Sequence, residues 1–205
     1  MDDRALRDAL VAGGARLGAR RLIAAAEGNL SVRLAGDRIL ITPAGRRKDA
    51  LEASDLVVVP LDPAAAKDDA RPGDLRPSSD VAIHRAIYGA RPDVGAVVHA
   101  HVPAAMALTL AGVTPDPAAL PETAMLLPRL PVVPFGTPGS AELAARIAAA
   151  FDEGNPLPGA VLLELHGAVA VGAGIAEALD RIELVDVLCR VWRDAALFRA
   201  AQPSR

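Results

Sequence analysis

The chain has 205 residues, of which 52% are hydrophobic and 23% charged, and its formal net charge is −3 at pH 7. This length fits one domain with a sizeable core, and the composition excludes both a disordered acidic chain and a basic nucleic-acid binder. Aromatic residues make up only 2% of the chain, which argues against stacking platforms for single strands or sugars. We therefore expect one globular domain over residues 1–205, with no nucleic acid among its partners.

The chain carries no obvious targeting or membrane signal. Its opening, MDDRALRDAL, lacks the basic start and long apolar run of a secretory peptide, which predicts a cytoplasmic protein. The apolar segment 94–113 is interrupted by His99, His101 and Pro103, so no membrane span is predicted. The single cysteine, Cys189, excludes an internal disulfide, and its apolar helical surroundings predict a buried thiol.

Helical and extended patterns alternate along the first part of the chain. Helical periodicity predicts a first helix over residues 2–26. The segments LSVRL and RILIT on either side of AGD predict two antiparallel strands joined by a tight turn. The segment DLVVVPL predicts a third strand, which a polar loop connects to RPSSD at 76–80.

The second part of the chain continues this mixture. We expect helices over Asp80–Tyr88, from Pro103 to about Leu110, over 140–151 and over about 176–199. Strands are expected at GAVVHAH, at PVVPF and at AVLLEL, the last ending at His166 and followed by a glycine-containing turn, GAVAVG. The early hairpin does not suit a purely parallel α/β fold.

Three histidines form the strongest chemical signal. His99 and His101 are one residue apart on a predicted strand, so their side chains project to the same side, about 7 Å apart along it. His166 ends another predicted strand and offers a third imidazole. Three histidines with one open position form the ligand set of a catalytic zinc site. The alternative is that these are strand-end histidines bonded to backbone carbonyls or water.

Three loops could bind a phosphate group. EGNLS, ITPAG and RPSSD each lie at an element boundary and offer glycine backbone, an amide or hydroxyls, and Ser78 and Ser79 fall at a predicted helix N-terminus. Taken singly, these segments are more often a turn, a hairpin end and a helix cap, respectively. Their joint presence favours an anion site.

The order of these motifs resembles the class II aldolase/adducin family, and most closely its L-fuculose-1-phosphate aldolase branch. The resemblance covers nearly the whole chain, through GNLSVRL, ITPAGRRKDALEASDLVVV, RPSSDVAIHRAIYGARPDVGAVVHAHVPAAMAL, LPVVPFGTPGSAELA and LLELHGAVAVG. It implies an α/β fold with a central, largely antiparallel β-sheet covered by helices on both faces, a three-layer sandwich. It also implies a homotetramer with active sites between subunits.

The resemblance further implies a set of functional residues. Zn²⁺, or another divalent metal, would be held by His99, His101 and His166. The phosphate of a small sugar substrate would lie near Asn29, Thr42, Gly45, Ser78 and Ser79, and the acidic catalytic group would be Asp80. The implied reaction is cleavage of a ketose phosphate to dihydroxyacetone phosphate and an aldehyde through a metal-stabilised enediolate. Asp80 would move the proton beside the carbonyl, or would simply cap its helix.

Two departures from the aldolase pattern keep other functions open. Fuculose-phosphate aldolases usually carry Glu where this chain has Asp80, and Tyr88, the only tyrosine, belongs to the following helix. A sugar-phosphate epimerase or dehydratase with the same metal chemistry is therefore an alternative. A non-catalytic, adducin-like interaction domain is a third, and it predicts loss of metal ligands that this chain retains.

Three other features have two interpretations each. His84 lies four residues after Asp80 on one helical face, which favours a supporting or core role over ligation. The run GRRK at 45–48 either steers a phosphorylated substrate or is a solvated charge run. Glu122 is either an acid near the site or a capping or solvent-facing residue.

Overall fold

A seven-stranded β-sheet forms the centre of the protein in a computed structural model that describes residues 3–65 and 74–202. In chain order the strands are β1 (Asn29–Leu34), β2 (Arg38–Ile41), β3 (Val57–Pro60), β4 (Ala96–Ala100), β5 (Val132–Val133), β6 (Ala160–Leu163) and β7 (Gly167–Gly172). Their order across the sheet is β3-β2-β1-β4-β7-β6-β5, and only the β5–β6 pair is parallel. The predicted largely antiparallel sheet is confirmed.

Helices cover the sheet on both faces. They are α1 (Asp3–Ala19), α2 (Val81–Ala90), α3 (Pro103–Leu110), α4 (Pro121–Leu126), α5 (Ala141–Asp152) and α6 (Ile175–Ala200). Successive side chains of a strand point to opposite faces, and in β4 Val98 joins the core shared with α1, α3 and α6, whereas Val97 joins the core shared with α2 and α5. The predicted three-layer arrangement follows from these two cores.

Most predicted elements are present, but the first helix is shorter than expected. It ends at Ala19 rather than near residue 26, because the backbone turns through positive φ at Arg21 and Ala25. Ile23 nevertheless packs against the core from the segment that follows. Its apolar side chain therefore continues the helical pattern in the sequence without belonging to the helix.

The segment GAVAVG, expected as a turn, is the interior strand β7. It pairs with β4 on one side and β6 on the other, and all six of its residues are buried. A strand buried on both faces has no polar alternation to reveal it, and its terminal glycines are typical of a turn. The turn itself is formed by residues 164–166, since β6 ends at Leu163 instead of running to His166.

Three smaller expectations concern single features. Cys189 is fully buried, as predicted. Within residues 3–65 and 74–202, no helix has the length and apolar character needed to cross a membrane. The polar loop expected after β3 falls partly on residues 66–73, which lie outside the described residues.

Candidate metal centre and pocket

The three predicted histidines converge at one end of the β1–β4–β7 part of the sheet. Their ring centroids are 5.4 Å (His99–His101), 4.8 Å (His99–His166) and 5.2 Å (His101–His166) apart. One nitrogen from each ring can be chosen so that all three lie within 4.8 Å of one another. This spacing lets three imidazoles bind one ion.

Two special backbone conformations bring the rings together. After His101 the chain turns through a left-handed residue, Val102 (φ 42°), and Pro103 then begins α3. Gly167 has φ 114°, and a Cβ atom at this position would lie 2.6 Å from the Cα of His101. A residue without a side chain is therefore required for the turn that carries His166 to approach the end of β4.

Second partners orient two of the rings. His99 Nδ1 lies 3.0 Å from the carbonyl oxygen of Ala168, so it donates there and leaves Nε2 as the metal-binding atom. His101 Nδ1 lies 3.3 Å from Glu27 Oε1, and the other carboxylate oxygen of Glu27 accepts from the Ala24 backbone amide at 2.9 Å. This pattern of carboxylate or carbonyl behind the ring is typical of metal-binding histidines.

The buried nitrogens that remain fit a metal ion. Among the described residues, His99 Nε2 and His166 Nδ1 are buried and have no hydrogen-bond partner. Burial, with the neighbouring His166 as a second cause, lowers the pKa of His99 to about 3, and burial followed by His101 lowers the pKa of His166. Neutral imidazoles with free lone pairs are the form that binds metal. The strand-end alternative accounts for one nitrogen of His99 and leaves the other unexplained.

A pocket of about 210 Å³ opens beside the histidines. Its wall contains four of the five predicted phosphate-site residues, the predicted catalytic Asp80 and two of the three histidines: Asn29, Gly45, Ser78, Ser79, Asp80, His101 and His166. Thr42 lies outside this wall, fully buried, with its hydroxyl accepting from the backbone amide of Leu30 at 3.1 Å and its carbonyl from that of Ser78 at 3.1 Å. Thr42 thus holds the Ser78 loop against β1.

Asp80 occupies the N-cap position of α2, yet its side chain makes no capping hydrogen bond within the described part of the chain. Its Oδ2 instead accepts from Asn29 Nδ2 at 2.8 Å and lies 4.0 Å from His99 Nε2. The helix-cap interpretation therefore does not describe the carboxylate, which is directed towards the histidines.

A buried hydrogen-bond chain supports this carboxylate. His84 Nε2 donates to Asn29 Oδ1 at 2.6 Å, while Ser31 Oγ contacts both His84 Nδ1 at 2.6 Å and the Tyr88 hydroxyl at 2.9 Å. Burial lowers the pKa of His84 to about 4, against the opposing charge of Asp80, so the ring is neutral at pH 7. His84 has the supporting role that its helical spacing from Asp80 predicts.

Sequence reasoning did not identify two residues that the structure places at the site, Lys48 and Glu27, and it proposed one, Glu122, that the structure places on the surface. Lys48, in the predicted charge run, is buried in the pocket wall rather than solvated. Glu27 contacts His101, although its loop was singled out only for its glycine and polar neighbours. For Glu27 the available signal was its position beside Gly28, whereas proximity to Gly45 does not distinguish Lys48 from Arg46 and Arg47. Glu122 is exposed on α4 and faces solvent.

Comparisons with known proteins agree with this geometry. Residues 8–193 match the family described as Class II Aldolase and Adducin N-terminal domain, and the chain therefore belongs to that family. It is 37% identical over 192 residues to a methylthioribulose-1-phosphate dehydratase of Acidiphilium cryptum, covering 87% of this chain and 85% of the relative. It is 33% identical over 195 residues to a 3-oxo-tetronate 4-phosphate decarboxylase of Cupriavidus necator, covering 91% and 83%.

A solved structure gives the same result for the fold. The chain superposes on L-fuculose-1-phosphate aldolase from Thermus thermophilus with a TM-score of 0.81, at 30% identity and covering 98% of both chains. The family acts on sugar phosphates and uses a divalent metal. The names of these three relatives describe three different reactions, a dehydration, a decarboxylation and an aldol cleavage. Each name gives a phosphate ester as the substrate.

Proposed function

We propose that this protein is a zinc-dependent aldolase that cleaves a small ketose phosphate, similar to L-fuculose 1-phosphate, into dihydroxyacetone phosphate and an aldehyde. The observation that carries the proposal is the three-histidine cluster beside a pocket whose wall contains the Asp80 carboxylate and several hydrogen-bond donors. Three neutral imidazoles are a ligand set that suits a catalytic zinc ion with one position open for substrate, although imidazole also binds other divalent metals.

Each part of the pocket has a separate task in this reaction. Zinc, when bound, supplies Lewis-acid stabilisation for the negative charge that develops on substrate oxygens. The bond between the carbons α and β to the carbonyl breaks, and its electron pair remains on the α carbon, which takes up a proton to give dihydroxyacetone phosphate. The hydroxyl on the β carbon loses its proton and becomes the aldehyde oxygen. Asp80, held by Asn29 at 2.8 Å, is positioned to move the proton at the carbon beside the carbonyl.

The loops of the pocket suit the phosphate group. Gly45, Ser78 and Ser79 offer backbone amides and hydroxyls to the same wall. Asn29 has a second amide hydrogen besides the one donated to Asp80, so it can contribute to the same site. Thr42 would act on the phosphate through the Ser78 loop that it holds.

A dehydratase acting on a similar ketose phosphate is the second candidate. The 37% identity to a methylthioribulose-1-phosphate dehydratase favours it, and so does the position of Tyr88. That side chain, the only tyrosine, is fully buried and bonded to Ser31. The protein therefore has no tyrosine of its own at the pocket to serve as proton donor in aldol cleavage.

The deciding experiment follows the products of zinc-loaded protein supplied separately with L-fuculose 1-phosphate and methylthioribulose 1-phosphate. Release of dihydroxyacetone phosphate that stops after treatment with chelator supports the aldolase. Loss of water from either substrate without carbon–carbon cleavage supports the dehydratase, and C–C cleavage is then rejected. A sample of Asp80→Asn should retain zinc and lose turnover with both substrates.

The proposal also includes a homotetramer in the cytoplasm. Exposed apolar side chains line one open surface pocket, including Leu110 (76% exposed), on α3, and Leu165 (46%), next to His166. Exposed apolar groups in one region are typical of a surface that another subunit covers. Sedimentation equilibrium distinguishes the tetramer from a monomer of 21.1 kDa.

A further inference from the structure

Lys48 is an unusually buried cation. Its relative exposure is 2%, whereas lysine side chains are almost never fully buried unless they have a partner. The ammonium group donates to the carbonyl oxygens of Ala26 at 2.8 Å and Arg46 at 2.7 Å. Ala26 precedes Gly28 and Asn29, and Arg46 follows Gly45, so the ammonium lies between two loops of the pocket.

The charge of this group is poorly compensated within the protein. An ammonium has three hydrogens to donate, and the two carbonyl contacts account for two of them. Across residues 3–65 and 74–202 no carboxylate lies within 4.0 Å of Lys48 Nζ. Burial consequently lowers the pKa of Lys48, and the more distant charge of Asp80 only partly opposes this. A buried cation with a free hydrogen is stabilised by an anionic ligand.

The charge balance of the pocket leads to the same conclusion. Glu27 and Asp80 contribute two carboxylates to the wall, and Lys48 is the only lysine or arginine among the described residues that line it. A phosphate monoester, which carries close to two negative charges at pH 7, would be repelled by these carboxylates without a nearby cation. The serine and glycine groups of the loops provide hydrogen bonds without charge.

We propose that Lys48 determines the specificity of the pocket for phosphate esters, by donating its third hydrogen to the phosphate group of the substrate. This inference rests on the proposed function, since it assigns a charged residue to the phosphate end of the pocket. It predicts that an equivalent sugar without phosphate is a poor substrate. It also distinguishes the end of the pocket at Lys48 from the metal end at His101 and His166.

The test measures binding of inorganic phosphate to zinc-loaded protein by calorimetry, which does not require the reaction to be identified. Lys48→Met should weaken phosphate binding about ten- to a hundredfold, the usual effect of losing a charge-assisted hydrogen bond. Arg47→Met is the matched control, because Arg47 is exposed, pairs with Asp49 at 2.6 Å and lies outside the pocket wall. It should change phosphate affinity less than about twofold.

Two further measurements separate the charge of Lys48 from its contacts with the loops. Lys48→Gln keeps an N–H donor for the carbonyls and removes the charge, so it should lose phosphate affinity while zinc content and melting temperature stay near those of the wild type. Because phosphate also binds zinc, the titrations are repeated on chelator-treated protein. The ratio of wild-type to variant phosphate affinity should be the same there as in the zinc-loaded protein.

Three results would overturn the inference. If both Lys48 variants bind phosphate with wild-type affinity, Lys48 does not contact the phosphate group. If the variants lose zinc content and phosphate affinity together, the role of Lys48 is to hold the two loops in place. A lower kcat with unchanged phosphate affinity would make it a proton donor. Failure of both candidate reactions alongside phosphate binding that depends on Lys48 would reject the proposed function and leave this inference intact.

Discussion

His84 and Asn29 are joined by a buried hydrogen bond of 2.6 Å from the imidazole Nε2 to the amide oxygen. The bond determines which way the amide is turned, so that Nδ2 faces Asp80 Oδ2 at 2.8 Å. The orientation of the carboxylate beside the metal centre therefore depends on a residue that does not reach the pocket.

Replacing His84 by leucine should reduce turnover about ten- to a hundredfold, because a misplaced catalytic group loses that much from small shifts in position. Zinc content should remain that of the wild type, since His84 contacts Asn29 and Ser31 rather than the three ligands. Tyr88→Phe, which removes only the far hydroxyl of the chain, is the control and should have a much smaller effect. Full activity in His84→Leu would show that the carboxylate needs no such support.

Glu27 should contribute to metal affinity through His101. Glu27→Ala removes the acceptor 3.3 Å from His101 Nδ1 and should weaken zinc binding about ten- to a hundredfold, as is typical of groups behind a metal-binding histidine. His101→Ala should lose more, because it removes a ligand. Competition with a coloured chelator measures both. Glu142→Ala, on α5 with its side chain 83% exposed, should bind zinc like the wild type.

The turn at Gly167 should tolerate no side chain. Gly167→Ala combines a backbone at φ 114° with a Cβ 2.6 Å from the Cα of His101, and the free energy of unfolding should fall by about 3 kcal/mol. Gly89→Ala is the matched control, since it lies in α2 with no atom within 4 Å of the new Cβ. It should raise stability by up to about 1 kcal/mol. Urea unfolding compares the two, and equal stabilities would contradict the required turn.

Acid should destabilise the fold partly through His84. Its pKa is about 4 in the folded protein and 6.5 ordinarily, so the unfolded chain takes up the proton first as the pH falls. Stability is therefore fully present above about pH 6.5 and decreases towards pH 4, by up to about 3 kcal/mol from this group. His99 and His166 act in the same direction in metal-free protein. The contribution of His84 is the difference between the free energies of unfolding of the wild type and His84→Leu, measured as a function of pH. If the two curves are parallel, His84 does not contribute to the acid sensitivity.

Cys189 should be chemically inert while the protein is folded. Burial raises the pKa of its thiol to about 12, so almost no thiolate is present at pH 8, and reagents that attack thiolates cannot reach it. A disulfide reagent should release one equivalent of chromophore only after denaturant is added. Rapid reaction under native conditions would indicate that α6 opens locally.

Much of the three-histidine cluster was predictable because its signals are local. His99 and His101 share a strand register, and His166 stands before a glycine in another apolar run. The helix beginning after Asp80 and the hairpin of β1 and β2 likewise follow from patterns within a few residues. Such patterns depend on the periodicity of strands and helices, which the sequence carries directly.

The supporting residues were less predictable because their contacts join distant segments. Lys48 contacts Ala26, which lies on the other side of the β1–β2 hairpin in the chain. Asn29 meets Asp80 because the segment before α2 is bonded to the residue after β2, where the Ser78 amide donates to the Thr42 carbonyl. Nothing local distinguishes Lys48 from its exposed neighbours Arg46 and Arg47. Buried charges and hydrogen-bond chains are determined by the packing of elements, and the sequence of each element alone does not specify them.

The register of β4 and β7 has a consequence for how the protein forms. Ala100 pairs with Ala168, whose carbonyl receives His99 Nδ1–H, and the turn immediately before β7 carries His166. His99 and His166 therefore come together only after strands distant in the chain have paired, which is a slow event in folding. Uptake of zinc during refolding would therefore report the moment at which the centre of the sheet closes, and a coloured metal such as cobalt would make that moment visible.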